Sequence, residues 1–201
     1  MDIEDVKVRM TAPLQKGVKV DLRGLAIRDA IDLSGATLGN VDLTGTTFAA
    51  PVSFCGARFA GLTWFKSCRF EARADFSDAV FENDARFDRA RFGNGAGFNR
   101  AEWRGVGGYD QAVFAGLAEF HAAVAFGNLS FAGAEFRGPV TLQDTQCLGG
   151  LWLAGTRFSG RVDFRGAEVH GRTWLRDVRH ADAGAAERAL REITSYGYRW
   201  T

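Results

Sequence analysis

Large apolar residues return through most of this 201-residue chain at a fixed interval of eleven. The series runs Leu43, Phe54, Phe65, Phe76, Phe87, Phe98, Tyr109, Phe120, Phe131, Leu142, Leu153, Phe164 and Leu175. A second series lies five residues on: Phe48, Phe59, Phe70, Phe81, Phe92, Trp103, Phe114, Ala125, Phe136, Cys147, Phe158 and Val169, with Ala125 and, more mildly, Cys147 out of character. Steps of five and six fit neither the 3.6-residue turn of a helix nor the two-residue alternation of a strand as the sole period, so the chain carries a longer repeat.

Two residues before these centres stand small side chains, among them Ala57, Ala74, Ala79, Ala85, Ala90, Ala96 and Ala112. Residues two apart in extended backbone face the same way, so each unit puts one small and one large group on the same side. The positions just after each centre are rich in Gly, Asp, Asn, Ser and Arg, as in Ser77-Asp78 and Asp88-Arg89, which marks corners. Short extended segments turned inward at every corner make a coil, and stacked coils satisfy one another's backbone groups along the axis.

The segments VDLTG (41–45), ADFSD (74–78), AVFEN (79–83) and ARFDR (85–89) resemble the A(D/N)LXX unit of pentapeptide repeat proteins, in a Phe-rich variety with one residue inserted after every second unit. The resemblance covers about residues 20 to 177. It implies an all-β fold, a right-handed quadrilateral β-helix with four units per coil and a coil of about 22 residues. The expected organisation is an N-terminal cap over 1–19, the solenoid over 20–177, and a C-terminal helix over 178–201 that caps the stack or dimerises.

Two irregularities interrupt the pattern. Leu22, Ile27, Leu33 and Leu38 lie one residue out of phase with Leu43, which implies a missing corner residue near Gly39-Asn40. In HAAVAFGNLSF (121–131), Phe126 stands beside the expected centre Ala125, and a bulge in one wall is the expected consequence. GVGG (105–108) reads as a corner.

A stack of coils has open edges that must be covered. The charged N-terminal stretch with Pro13 is expected to cover the first coil. Residues 181–193 read as a short helix, with Ala186, Ala189, Leu190 and Ile193 on one face and Glu187 to Arg191 as an i,i+4 pair. Because related repeat proteins commonly pair through their C-terminal ends, residues 181–200 are also the expected contact of a homodimer.

A 22-residue coil lets surface charge be read as columns. One contains Asp75, Glu119 and Asp163, another Arg69, Arg91 and Arg157, and a third places Trp64, Trp152 and Trp174 outward with Arg86, Gly108 and Ser130 between them. Outward Trp suggests a contact surface, so these residues are the candidate partner-binding set. A rigid rod presenting a wall to a protein partner is the first functional reading. The resemblance adds a second, a DNA mimic that occupies type II topoisomerases and confers antibiotic resistance. Within residues 21–177, however, 18 acids face 17 bases, where a phosphate mimic should be markedly acidic.

An enzyme is the third reading. Its candidates are Asp88 and Asp110, one coil apart near Lys66, and His121 at the expected bulge. The three histidines have no spacing that makes a metal site, and no glycine run precedes a helix, so neither metal nor cofactor is expected. Direct nucleic-acid binding through Arg69, Arg91 and Arg157 is disfavoured by a net charge of +1. Cys55, Cys68 and Cys147 lack CxxC spacing and read as reduced thiols. No apolar stretch approaches the roughly 18 residues needed to cross a bilayer, so the cytoplasm is the expected location.

Overall fold

The structure, a computed structural model, describes residues 3–15 and 17–201, apart from the side chains of Ala183 and Ala186. The two hydrophobic series turn inward and force the chain into a four-sided coil of strands mostly two residues long. Each side is a parallel sheet, and successive strands of one sheet come from successive coils. The first wall begins with Val20–Asp21 and Val41–Asp42 and ends with Arg172–Trp174 and Arg199–Trp200. The second runs from Ala26–Ile27 to Arg179–His180, the third from Ile31–Asp32 to Val162–Asp163, and the fourth from Thr37–Leu38 to Thr194–Ser195.

Inside the coil the centres stack in register. Phe70 lies 4.9 Å from both Phe48 and Phe92 with nearly parallel rings, and Phe76 lies 5.0 Å from Phe54 and 4.9 Å from Phe98. Every member of both series is buried, and the small residues before them, Ala74 and Ala96 among them, are fully covered. The repeat therefore produces one continuous core, and the positions flanking each centre face out.

Corners alternate between steps of five and six residues, and each five-residue step contains one left-handed residue. From Gly45 to Asp177 such a residue occurs every eleven positions, with φ between 54° and 73°. Glycine or aspartate fills many of these corners, but Ser67, Arg89, Arg100, Gln111 and Ala122 take the same conformation, where only the turn dictates it. The Ala79 N–H donates to the Phe76 carbonyl at 3.1 Å across Ser77 and Asp78, a type II turn with Asp78 in the left-handed position. Side-chain oxygens one residue before the centre brace these corners: Asp75 accepts the Ser77 N–H at 3.0 Å, and Thr141 accepts that of Gln143 at 3.2 Å.

The missing corner residue lies where the phase shift puts it. Val20 pairs with Val41, a 21-residue coil, and Val41 pairs with Thr63 at the ordinary 22. The Asn40 amide bridges the shortened corner, donating to the Val18 carbonyl at 3.1 Å and accepting the Leu62 N–H at 2.8 Å.

The expected bulge does not occur. Trp103 pairs with Ala125 and Ala125 with Cys147 without a change of register. The Trp103 indole already fills the interior at this level, so Ala125 suffices above it and Phe126 points out, half exposed. GVGG also needs correction: Gly107–Gly108 is a strand of the first wall. A Cβ on Gly107 would meet Trp103 and Leu129 at 2.9 Å, so the large indole requires the small neighbour.

Helix α1, Ile3–Met10, covers the first coil with Val6 and Met10 buried. Helix α2, Ala183–Arg191, takes the place of a third-wall strand in the last coil, after which the chain rejoins the fourth and first walls. Ala189 and Ile193 pack on the core, Leu190 is half-buried, and Arg191 pairs with Glu187; the expected inward position of Ala186 lies outside the described side chains. The Glu192 carboxylate accepts the Phe164 N–H at 3.2 Å, covering one amide of the third wall's free edge. No helix is long and apolar enough to cross a membrane among the described residues.

Candidate interaction surfaces

On the first wall the outward column reads Asp42, Trp64, Arg86, Gly108, Ser130, Trp152 and Trp174, and Trp200 completes it. Trp64 is half-buried between two cations, with Lys19 Nζ 4.7 Å and Lys66 Nζ 5.2 Å from the ring. Lys19 also pairs with Asp42 at 2.8 Å. Burial pushes the Asp42 carboxyl up, but hydrogen bonds from Lys19 and Thr44 outweigh it and hold the group below its ordinary value. Trp152 and Trp174 lie 5.8 Å apart, and Trp174 stacks on Trp200 at 4.8 Å. Their faces are turned to one another, so these outward tryptophans form a ladder closed by the C-terminal strand.

Asp88 and Asp110 lie one coil apart beside this column, as the spacing indicates. Each is engaged separately: Arg86 Nε donates to Asp88 at 3.0 Å, and Ser130 Oγ donates to Asp110. One Asp88 oxygen is buried without a hydrogen bond. His121 is at the corner between the third and fourth walls, 3.8 Å from Asp144, and the fold does not bring it to the aspartate pair. None of the five main surface hollows reaches Asp88, Asp110 or His121. The largest, about 590 Å³, lies between α2 and the third-wall edge at Val162. Of its two carboxylates, Asp163 and Glu192, the former is held below its ordinary range chiefly by the Arg165 side chain.

Asp75, Glu119 and Asp163 do share one column, but Gly97 and Thr141 separate them, so acids recur only at every second coil. Arg69 and Arg91 are direct neighbours on the second wall, while Arg157 is three coils further on, between Glu135 and Arg179. Among the described residues no group of His, Cys, Asp and Glu could hold a metal ion. The thiols are free, and burial pushes Cys68 and Cys147 up to about 12.

The two inward series leave unmarked a column on the fourth wall. Phe126, Leu148, His170 and Tyr196 stand in consecutive coils, all facing out. Phe126 is 50% exposed, Leu148 38% and Tyr196 62%, and Tyr196 stacks on His170 at 4.8 Å. The available signal is phase: a large ring next to a centre, rather than on it, faces solvent. Around the adjoining edge, Gly127, Gly149, Gly171 and Gly197 approach so closely that a Cβ on each would collide with the backbone of the preceding coil. Tyr198, 66% exposed, lies 4.3 Å from Trp200 on the far side of this bare edge.

Four walls, a 22-residue register and an inward apolar residue in each unit establish the architecture. Residues 54–102 and 131–179 match the profile of the family described as pentapeptide repeats (9 copies). The chain is a pentapeptide repeat protein. Among curated proteins none matches it significantly. The pentapeptide repeat accounts for the core and corners of this protein and leaves the outward columns free to differ from coil to coil.

Proposed function

We propose that this pentapeptide repeat protein is a non-catalytic interaction module whose main contact for a protein partner is the edge between the fourth and first walls in the last four coils. One observation carries the reading: Phe126, Leu148, His170 and Tyr196 make an unbroken exposed column on a wall whose interior is already complete. Contiguous exposed apolar surface on a folded chain marks interaction sites. The glycine edge and Tyr198 extend the patch toward Trp174 and Trp152. Trp64, between its two lysines, belongs to a separate apolar zone with Leu62 and Val18 at the opposite end.

Catalysis is not part of the proposal, because the two aspartates are bonded to different neighbours and none of the five main hollows among the described residues reaches them. Nor is mimicry of duplex DNA. Acids at every second coil stand roughly 10 Å apart, and those at 75 and 163 fold back onto their own corners. Reduced thiols accord with a cytoplasmic setting, which is part of the same proposal.

The test is capture of partners from a cell extract by wild type, Phe126→Ser and Leu148→Ser. Both variants are expected to keep wild-type stability within about 0.5 kcal/mol, as surface substitutions do, while losing a specific captured protein. Capture of the same proteins by all three would refute the assignment of this edge.

A further inference from the structure

We propose that the second wall is a separate docking face for an acidic, extended peptide segment, held by two opposed arginine pairs. Arg69 lies directly opposite Arg91 in the sheet, and Arg157 directly opposite Arg179. Like charges on directly opposite residues of adjacent strands, whose backbones run about 4.8 Å apart, repel, and an anion between them relieves the repulsion. The protein supplies little to offset this. Among the described residues Arg91, Arg157 and Arg179 form no ion pair, and Arg69 meets Glu71 only at 4.0 Å. Arg28 and Arg137 share the wall; among the described residues the one further acid in its outward columns is Glu135, directly opposite Arg157, and this carboxylate bonds to Arg137 at 2.9 Å and so offsets Arg91 and Arg157 only in part.

The first pair borders a hollow of about 200 Å³ lined also by Arg137 and by one carboxylate, Glu71, so that three arginines outnumber a single acid, with Gly93, Val113 and Ala115 as its floor. Guanidinium groups bind carboxylates through two parallel hydrogen bonds, and the floor suits an aliphatic side chain between them. From Arg91 to Arg157 is three strand spacings, about 14 Å, which an extended chain covers in roughly four residues. The favoured segment therefore has carboxylates about four residues apart with an apolar residue between. A nucleic acid fits less well. Among the described residues the wall's outer face has no aromatic ring for bases to stack on, and a duplex overhanging this narrow face would meet Asp75, Glu119 and Asp163 on the next wall.

The experiment measures fluorescence anisotropy with three labelled probes at low and physiological salt: a peptide of paired glutamates spaced by valines, its glutamine counterpart, and a single-stranded oligonucleotide of equal charge. Only the glutamate peptide is expected to bind, more weakly as salt rises. Arg91→Gln and Arg157→Gln should each weaken it about tenfold while leaving the melting temperature unchanged or raised, since each relieves a repulsion. Phe126→Ser should bind the peptide as wild type does, so this inference and the fourth-wall reading fail independently. Absence of peptide binding, equal binding of the glutamine peptide, or an oligonucleotide that binds as tightly would overturn the proposal. So would a fall in melting temperature in both arginine variants without loss of binding, which would make the pairs structural.

Discussion

On the second wall six phenylalanines, Phe48, Phe70, Phe92, Phe114, Phe136 and Phe158, stack without a break, whereas on the fourth the ladder of Phe59, Phe81 and Trp103 stops at Ala125. Both walls keep the same 22-residue register through this level. They differ in where the bulk goes. The second wall keeps its rings inside and carries arginine outside; the fourth, beyond Trp103, has Ala125, Cys147 and Val169 inside and Phe126, Leu148 and Tyr196 outside. Backbone pairing holds the coil even where the internal stack is interrupted, so a wall can turn apolar side chains outward without losing its geometry.

The largest effect should come from breaking the intact ladder. Phe92 stacks on Phe70 at 4.9 Å and Phe114 at 4.7 Å and is 1% exposed, so Phe92→Ala should cost about 3–5 kcal/mol in chemical denaturation. A loss below about 1 kcal/mol would mean that the rings fill space without bearing on stability. A smaller effect is expected from forcing a ring into the interrupted ladder. Ala125→Phe would crowd Trp103 and should destabilise by about 1–3 kcal/mol; a gain would show that the interior above the indole has room. Smallest is a change in the corner that feeds the fourth wall. Ala122 sits in the left-handed region at φ 54°, so Ala122→Gly should stabilise by about 0.5–1 kcal/mol, measurable as a higher denaturation midpoint.

The same contrast separates what is legible in the sequence from what is not. Period and inward phase are legible because burial demands a large side chain at nearly every centre, and a core of rings tolerates few substitutes. The lost residue near Gly39-Asn40 is legible for the same reason, as a shift of phase. Left-handed corners are not, since Arg89, Gln111 and Ala122 adopt that conformation against their own preference and carry no mark of it. The bulge expected at Phe126 is absent because a misplaced ring is visible in the sequence, whereas the filling of the interior by the Trp103 indole, which makes an inward ring unnecessary, is not. Helix α1 is hidden amid its charges, although Val6 and Met10, four apart, are its buried face. Surface columns can be drawn from the repeat but not ranked: whether a tryptophan is free depends on Trp200, distant in sequence, stacking upon it.

The constant 22-residue register between the second coil and the helix-containing last one also gives this molecule a unit of length. Because the backbone of each winding pairs only with those directly before and after it, an in-frame duplication or loss of one would leave both terminal helices intact. Between Arg91 and Phe126 such a change would move the exposed fourth-wall column relative to the Arg69–Arg91 pair by one strand spacing, about 4.8 Å. Distance between two docking points could thus be set by counting windings, a ruler graduated by the repeat itself.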